Sequence, residues 1–181
     1  VTDTAVALYG MDTTGSITML NGVSTGTDFT NRIGRKVVWK SFLVQGHSIP
    51  QDASVSPNLG RVMIIYDTQP NGALPAMTDV LVTADATSPM QLNNRDRFRV
   101  LWDKRVVNGV YADAATQATA DQTIKEIRKY KKCNLQTIYD GTTAAIADIQ
   151  SGCIFLLTIG TQAAGASYNA RLNIRLRFND A

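Results

Sequence analysis

Asn93-Asn94-Arg95-Asp96-Arg97-Phe98-Arg99-Val100-Leu101-Trp102-Asp103-Lys104-Arg105 contains a run with a period of two. Phe98, Val100 and Trp102 alternate with Arg97, Arg99 and Leu101. That spacing places one set on a packed face of a strand and the other on a charged face. A helix would scatter the three large apolar residues around its axis. Asn93-Asn94 supplies turn chemistry just ahead. The expectation is a central strand with a basic outer face and with Phe98 and Val100 in the core.

The same pattern recurs near the C-terminus. Ala170, Leu172, Ile174, Leu176 and Phe178 alternate with Arg171, Asn173, Arg175 and Arg177, which reads as one apolar face and one cationic face. Residues 35–45 form a longer apolar run. There Val37, Trp39 and Leu43 share one parity and Val38, Phe42 and Val44 the other, so this strand is expected to be covered on both sides. Residues 153–159 are apolar on both faces. Shorter strands are read at 4–9, 16–20, 61–67, 123–132 and 135–139. Pro, Gly and Asn mark loops at 21–31, 47–60, 108–122, 141–152 and 160–167. Pro75 and Thr78-Asp79 suggest a short helix within 75–85, and the Ala-rich part of 108–122 a helical turn.

Composition agrees with this. Glu126 is the only Glu, while Asp and Thr are abundant, and both of the latter favour turns and strands over helix interiors. About eight main strands with long connections fit an all-β, single jelly roll, an antiparallel sandwich of two sheets. Its first and last strands lie side by side near the middle of one sheet. Residues 1–181 are read as one domain. An immunoglobulin-like sandwich would have shorter loops, and an up-and-down barrel tighter hairpins.

The formal charge is +3, unevenly spread. Basic residues cluster at Arg32/Arg35/Lys36/Lys40, Arg95/Arg97/Arg99/Lys104/Arg105, Lys125/Arg128/Lys129/Lys131/Lys132 and Arg171/Arg175/Arg177, with Arg61 apart. Such rows are either solvated strand faces or a surface for a polyanion. The residues assigned to nucleic acid are Arg171, Arg175, Arg177, Arg35, Lys36, Lys129 and Lys131. Aromatic residues near the last strand are few, so phosphate contacts are expected to dominate over base stacking.

Catalytic and metal motifs are weak. Gly22-Val23-Ser24-Thr25-Gly26 has the form G-x-S-x-G, and Asp28 and His47 follow it. That motif requires a strand-to-helix elbow on a parallel sheet, and no βα alternation is present. His47 is the single His, and Cys133 and Cys153 lack metal-motif spacing. No catalytic residue, metal or cofactor is assigned. Calcium at a subunit contact has no supporting spacing. No apolar run approaches the ~18 residues of a membrane helix, so no membrane partner is expected.

Four fragments resemble the geminivirus coat proteins. Asn31-Arg32-Ile33-Gly34-Arg35-Lys36 with Lys40-Ser41 resembles their His-Arg-x-Gly-Lys-Arg segment leading into Lys-Ser. Arg95-Asp96-Arg97-Phe98-Arg99-Val100 is similar to Arg-Asp-Arg-Tyr-Gln-Val, and Gly109-Val110-Tyr111-Ala112 to Gly-Gln-Tyr-Ala. Leu172 to Asp180 resembles Leu-Lys-Ile-Arg-Ile-Tyr-Phe-Tyr-Asp. The resemblance implies a capsid protein of a small circular single-stranded DNA virus. It further implies a homo-oligomeric icosahedral shell around that genome, residence in the virion, and assembly in the host nucleus. A host-cell receptor is a further partner class. The family's basic N-terminal region has no counterpart before Arg32. With Val at position 1, the expectation is a longer parent chain with a disordered Arg/Lys-rich arm. The alternatives are the capsid protein of a small RNA or satellite virus and a lectin-like jelly-roll binding module.

Overall fold

The computed structural model describes residues 1–3, 6–50, 57–109 and 124–180. Two antiparallel sheets pack face to face. The strands are β1 (Thr2–Asp3), β2 (Ala7–Met11), β3 (Ser16–Met19), β4 (Lys36–Pro50), β5 (Asn58–Asp67), β6 (Phe98–Asn108), β7 (Lys125–Tyr139), β8 (Ile149–Ser151), β9 (Cys153–Gly160) and β10 (Tyr168–Asp180). The larger sheet has the order β1-β10-β4-β7-β8, with β2 also pairing β10, and the smaller has the order β3-β9-β5-β6. The chain crosses between sheets after β2, β3, β4, β6, β8 and β9. That is a jelly roll, as the alternation predicts.

β10 lies inside its sheet. β1 and β2 follow one another along one of its sides, with Asp3 opposite Arg175 and Leu8 opposite Arg171. β4 runs along the other side. The first and last strands are thus neighbours, with the first at the sheet edge. Leu172, Ile174 and Leu176 are buried, and Arg171, Arg175 and Arg177 are exposed. At Gly46 on β4 a Cβ would lie 1.9 Å from the Arg171 carbonyl oxygen of β10, so close pairing there requires glycine.

Several expectations are corrected. The strand at Phe98 is not central: β6 is the edge of the smaller sheet. Nor does its alternation hold throughout. Ile64 pairs with Trp102 and Ile65 with Val100, leaving Leu101 as a bulge. The extra residue shifts the side-chain parity, so Leu101 is buried while Val100 is exposed. A second bulge at Lys40 reunites Trp39 and Phe42 on the buried side. β4 is therefore covered on one face, not both, and Leu43 lies on the outer one. β4 also continues through 47–50, where the sequence predicts a loop, because β10 pairs with all of this segment and β7 with it as far as Ser48. Residues 125–139 form one strand rather than two. The expected helix shrinks to a single turn, α1 (Met77–Val80). The Ala-rich segment and the strand start at 4–5 lie outside the described residues.

β9 is buried along its whole length, as its sequence predicts. β5 is nearly so, because the connection to β6 lies over the smaller sheet. Val80, Leu81 and Ala86 of that connection are fully buried, and Arg61 of β5 donates from Nη1 to the Ser88 carbonyl. Two ion pairs brace the strands on either side of it, β5 to β6 and β5 to the last residue of the connection. Arg61 grips Asp103 through two bonds of 3.0 and 2.7 Å, and Arg97 grips buried Asp67 through bonds of 3.0 and 2.8 Å.

Inside the sandwich, Trp39 packs edge-on against Phe178 with ring centroids 5.2 Å apart. Its Nε1 donates to Thr137 Oγ1 at 2.9 Å. Asn21 links both sheets: it donates to Thr137 Oγ1 of β7 and accepts from the Ile154 N–H of β9, each at 2.9 Å. Trp39, Asn21 and Thr137 thus satisfy one another in the interior.

Candidate nucleic-acid interface

The outer face of the larger sheet is built by register. Residues directly opposite one another in antiparallel strands share a face. Reading across β10, β4 and β7 gives Arg171–His47–Glu126, Asn173–Gln45–Arg128, Arg175–Leu43–Tyr130 and Arg177–Ser41–Lys132. Arg171, Arg175, Arg177, Arg128, Tyr130 and Lys132 are exposed. Lys36 alternates with buried Val37 and so faces outward on the same sheet. Neighbouring strands stand about 4.8 Å apart and alternate residues about 7 Å apart. The face is therefore a cationic field two to three strands wide.

The other assigned residues do not all join it. Lys129 lies opposite Val44 and Lys131 opposite Phe42. Both partners are buried, so these lysines leave β7 on the inner side, toward the gap between the sheets. There Lys131 Nζ donates to the Leu101 carbonyl of β6 at 2.6 Å, and Lys104 Nζ answers with a bond to the Glu126 carbonyl at 2.7 Å. The two lysines close the open side of the sandwich. Arg35 is held at the far end of the sheet. It donates from Nε to the Tyr139 carbonyl at 3.0 Å and from Nη2 to Asp140 at 2.8 Å.

Arg128 and Lys132 are the members that sequence reasoning missed. The signal was present in Ile127. The one aliphatic residue in the basic stretch 125–132, it marks the inner parity and is fully buried. Residues of the opposite parity must face out.

The field is not bare of acid. Asp3 reaches Arg175 with Nε–Oδ1 at 2.6 Å and Nη2–Oδ2 at 2.7 Å. The hydrogen bond from Arg175 is the main cause that holds the Asp3 carboxyl below its ordinary range. The Arg177 side chain makes no hydrogen bond or contact ion pair among the described residues, and its charge adds a smaller pull on Asp3. Aromatic residues are better placed than the sequence suggested, with Tyr130 within the field and Phe29 at its end.

The nucleophile motif does not assemble. Ser24 donates to Asn31 Oδ1 at 3.4 Å, and His47 stands between Arg171 and Glu126 on the cationic field. Cys153 is buried, and burial pushes its thiol far above the ordinary range, which leaves it unreactive.

The cationic field also has a fixed end. Arg32, fully buried, donates from Nε to the Val23 carbonyl at 3.0 Å and from Nη1 to the Gly34 carbonyl at 2.9 Å. Its guanidinium lies 4.1 Å from the Tyr139 ring centroid. The Asp180 carboxylate accepts the Ile33 and Gly34 N–H groups. These bonds stiffen the loop of residues 24–34.

A family model described as Satellite tobacco necrosis virus coat protein matches residues 6–181. The coat protein of Maize white line mosaic Satellite virus is 28% identical over 174 residues, which cover 94% of this chain and 76% of the relative. These matches overturn the geminivirus resemblance. Two of its four short fragments, at 95–100 and 172–180, are largely arginines alternating with apolar residues. Such alternation follows from any strand with one buried and one basic face. The expectations that hung on it, a single-stranded DNA genome and assembly in the host nucleus, lose their support.

Proposed function

The chain belongs to the Satellite tobacco necrosis virus coat protein family, and from that premise we propose that it is the non-enzymatic subunit of a closed virion shell around a single-stranded RNA genome. Copies of the jelly roll, read as one domain over residues 1–181, make the shell. The outer face of the larger sheet is turned toward the packaged strand. The observation that carries this is the shared face of Arg171, Arg177, Arg128 and Lys132.

Physical chemistry supports that choice of face. The smaller sheet is covered by its own β5–β6 connection, while the larger sheet leaves its basic rows open. Alternate residues about 7 Å apart match the pitch of an extended polynucleotide to within its flexibility. Arginines and lysines on phosphates release counterions and bind with little sequence preference. A packaging surface must accept every part of a genome. A lectin-like module would gather its polar groups in a loop pocket, whereas Arg171, Arg177, Arg128 and Lys132 lie in rows along β10 and β7.

Purified chain, expressed alone, tests the reading. The expected result is regular particles by negative-stain microscopy that protect host RNA from nuclease. A monodisperse monomer that binds a glycan array and no RNA would replace it with the lectin-like reading.

A further inference from the structure

We propose that the cleft between the 28–31 loop and the end of β10 is a base-binding site, taking one unpaired nucleobase stacked on Phe29 with the adjoining phosphate on Arg177. This rests on the RNA-facing reading of the sheet and names what one end of it recognises.

The cleft has a volume of about 530 Å³ and is lined by Asp3, Phe29, Thr30, Arg175 and Arg177, together with Val1. That falls within the roughly 300–1,000 Å³ of small-molecule sites. Phe29 is 77% exposed, and among the described residues no ring or cation covers it. Phe29 takes no part in the core and stands open on a loop that is otherwise tightly bonded. Arg32, Asp180 and the Asn31 N–H bond to the Asp28 carbonyl at 2.9 Å fix the loop that presents it. The stacking surface is therefore pre-ordered, which limits the entropy lost on binding.

Charge divides the cleft into two parts. Asp3 anchors Arg175 from one side, so this guanidinium is oriented rather than free. Arg177, one two-residue step along β10, has no such anchor and is available to a phosphate. An aromatic platform beside a cationic track is how single strands are held without sequence readout. A carboxylate ligand would use the arginines and ignore the ring; an apolar peptide would do the reverse. A nucleotide uses both.

The test measures binding of dissociated full-chain subunits to an eight-residue oligoadenylate and to an abasic octamer of equal charge. Phe29→Ala should weaken oligoadenylate binding about tenfold and leave abasic binding and the salt slope unchanged, while Phe29→Trp should retain wild-type affinity. Arg177→Gln should weaken both ligands and lower the salt slope by about 0.7. Oligoadenylate binding by Phe29→Ala equal to wild type, with Arg177→Gln still impaired, would overturn the base site and leave the cationic field standing. Loss of particles by Phe29→Ala with unaltered oligoadenylate binding would likewise overturn it and make Phe29 a subunit contact. If neither variant alters binding, the site fails, and the RNA-facing reading of this end of the sheet fails with it.

Discussion

Arg175 on β10 and Asp3 on β1 stand directly opposite each other, and the guanidinium holds the carboxylate through two bonds of 2.6 and 2.7 Å. The pair neutralises one member of the arginine row and leaves Arg177 beside it unanchored. Asp3→Asn should release that charge. Subunits carrying it should bind single-stranded oligonucleotide more tightly at low salt, with a salt slope steeper by up to about 0.7. A titration over several salt concentrations reads this directly.

The same pair has a pH signature. Arg175 depresses the Asp3 carboxyl in the folded chain. The contribution of a depressed carboxylate is complete above its unfolded value of about 3.9 and is lost as pH falls through the lower folded value. Wild type and Asp3→Asn should therefore differ in oligonucleotide affinity by a constant factor from about pH 5 to 8. They should converge only below about pH 4, as the wild-type carboxylate is neutralised. Because the pair is exposed to solvent, its effect on stability should be small.

The two faces of β7 predict opposite outcomes. Arg128→Gln with Lys132→Gln should reduce packaged RNA and weaken oligonucleotide binding. Lys129→Gln should leave both unchanged, since its strand position points to the inner side. Lys131→Gln should lower stability, because it removes the bond to the Leu101 carbonyl. Nuclease-protected RNA per particle and denaturant unfolding together separate the three.

Residues 170–178 and 98–102 show how much was legible. Strict alternation in the first specifies β10, its buried Leu172, Ile174 and Leu176, and its exposed arginines. Alternation in the second is equally regular in sequence, yet a bulge at Leu101 breaks it in the fold. Bulges follow from pairing with a partner strand, which a single strand's pattern does not reveal. The same holds for Lys129 and Lys131. Their charge was plain in the sequence, but their face depends on β4 across the ladder. The Arg175–Asp3 pair lay deeper still, because it joins positions 172 residues apart.

A pair of truncations tests the bulge. Ile174→Ala removes a fully buried side chain and should cost about 2–5 kcal/mol. Val100→Ala, on the exposed side of the bulge, should stay within about 0.5 kcal/mol. Unfolding in urea gives both values. A large loss at Val100 would restore the unbroken alternation.

Asp67 is fully buried and faces Arg97. Removing one partner of a buried pair leaves the other uncompensated, at a cost of about 3–5 kcal/mol. Arg97 retains some access to water, so Asp67→Ala should fall near the lower figure. Proteolysis should then cut within residues 68–97, the connection that this pair fastens over the smaller sheet.

An electron cryo-microscopy reconstruction of purified particles shows directly which way the larger sheet faces. Arg171, Arg177, Arg128 and Lys132 are expected to line the interior of the shell with nucleic-acid density against them. A reconstruction that places this face on the particle exterior, or seals it against a neighbouring subunit with no nucleic acid between, would contradict it.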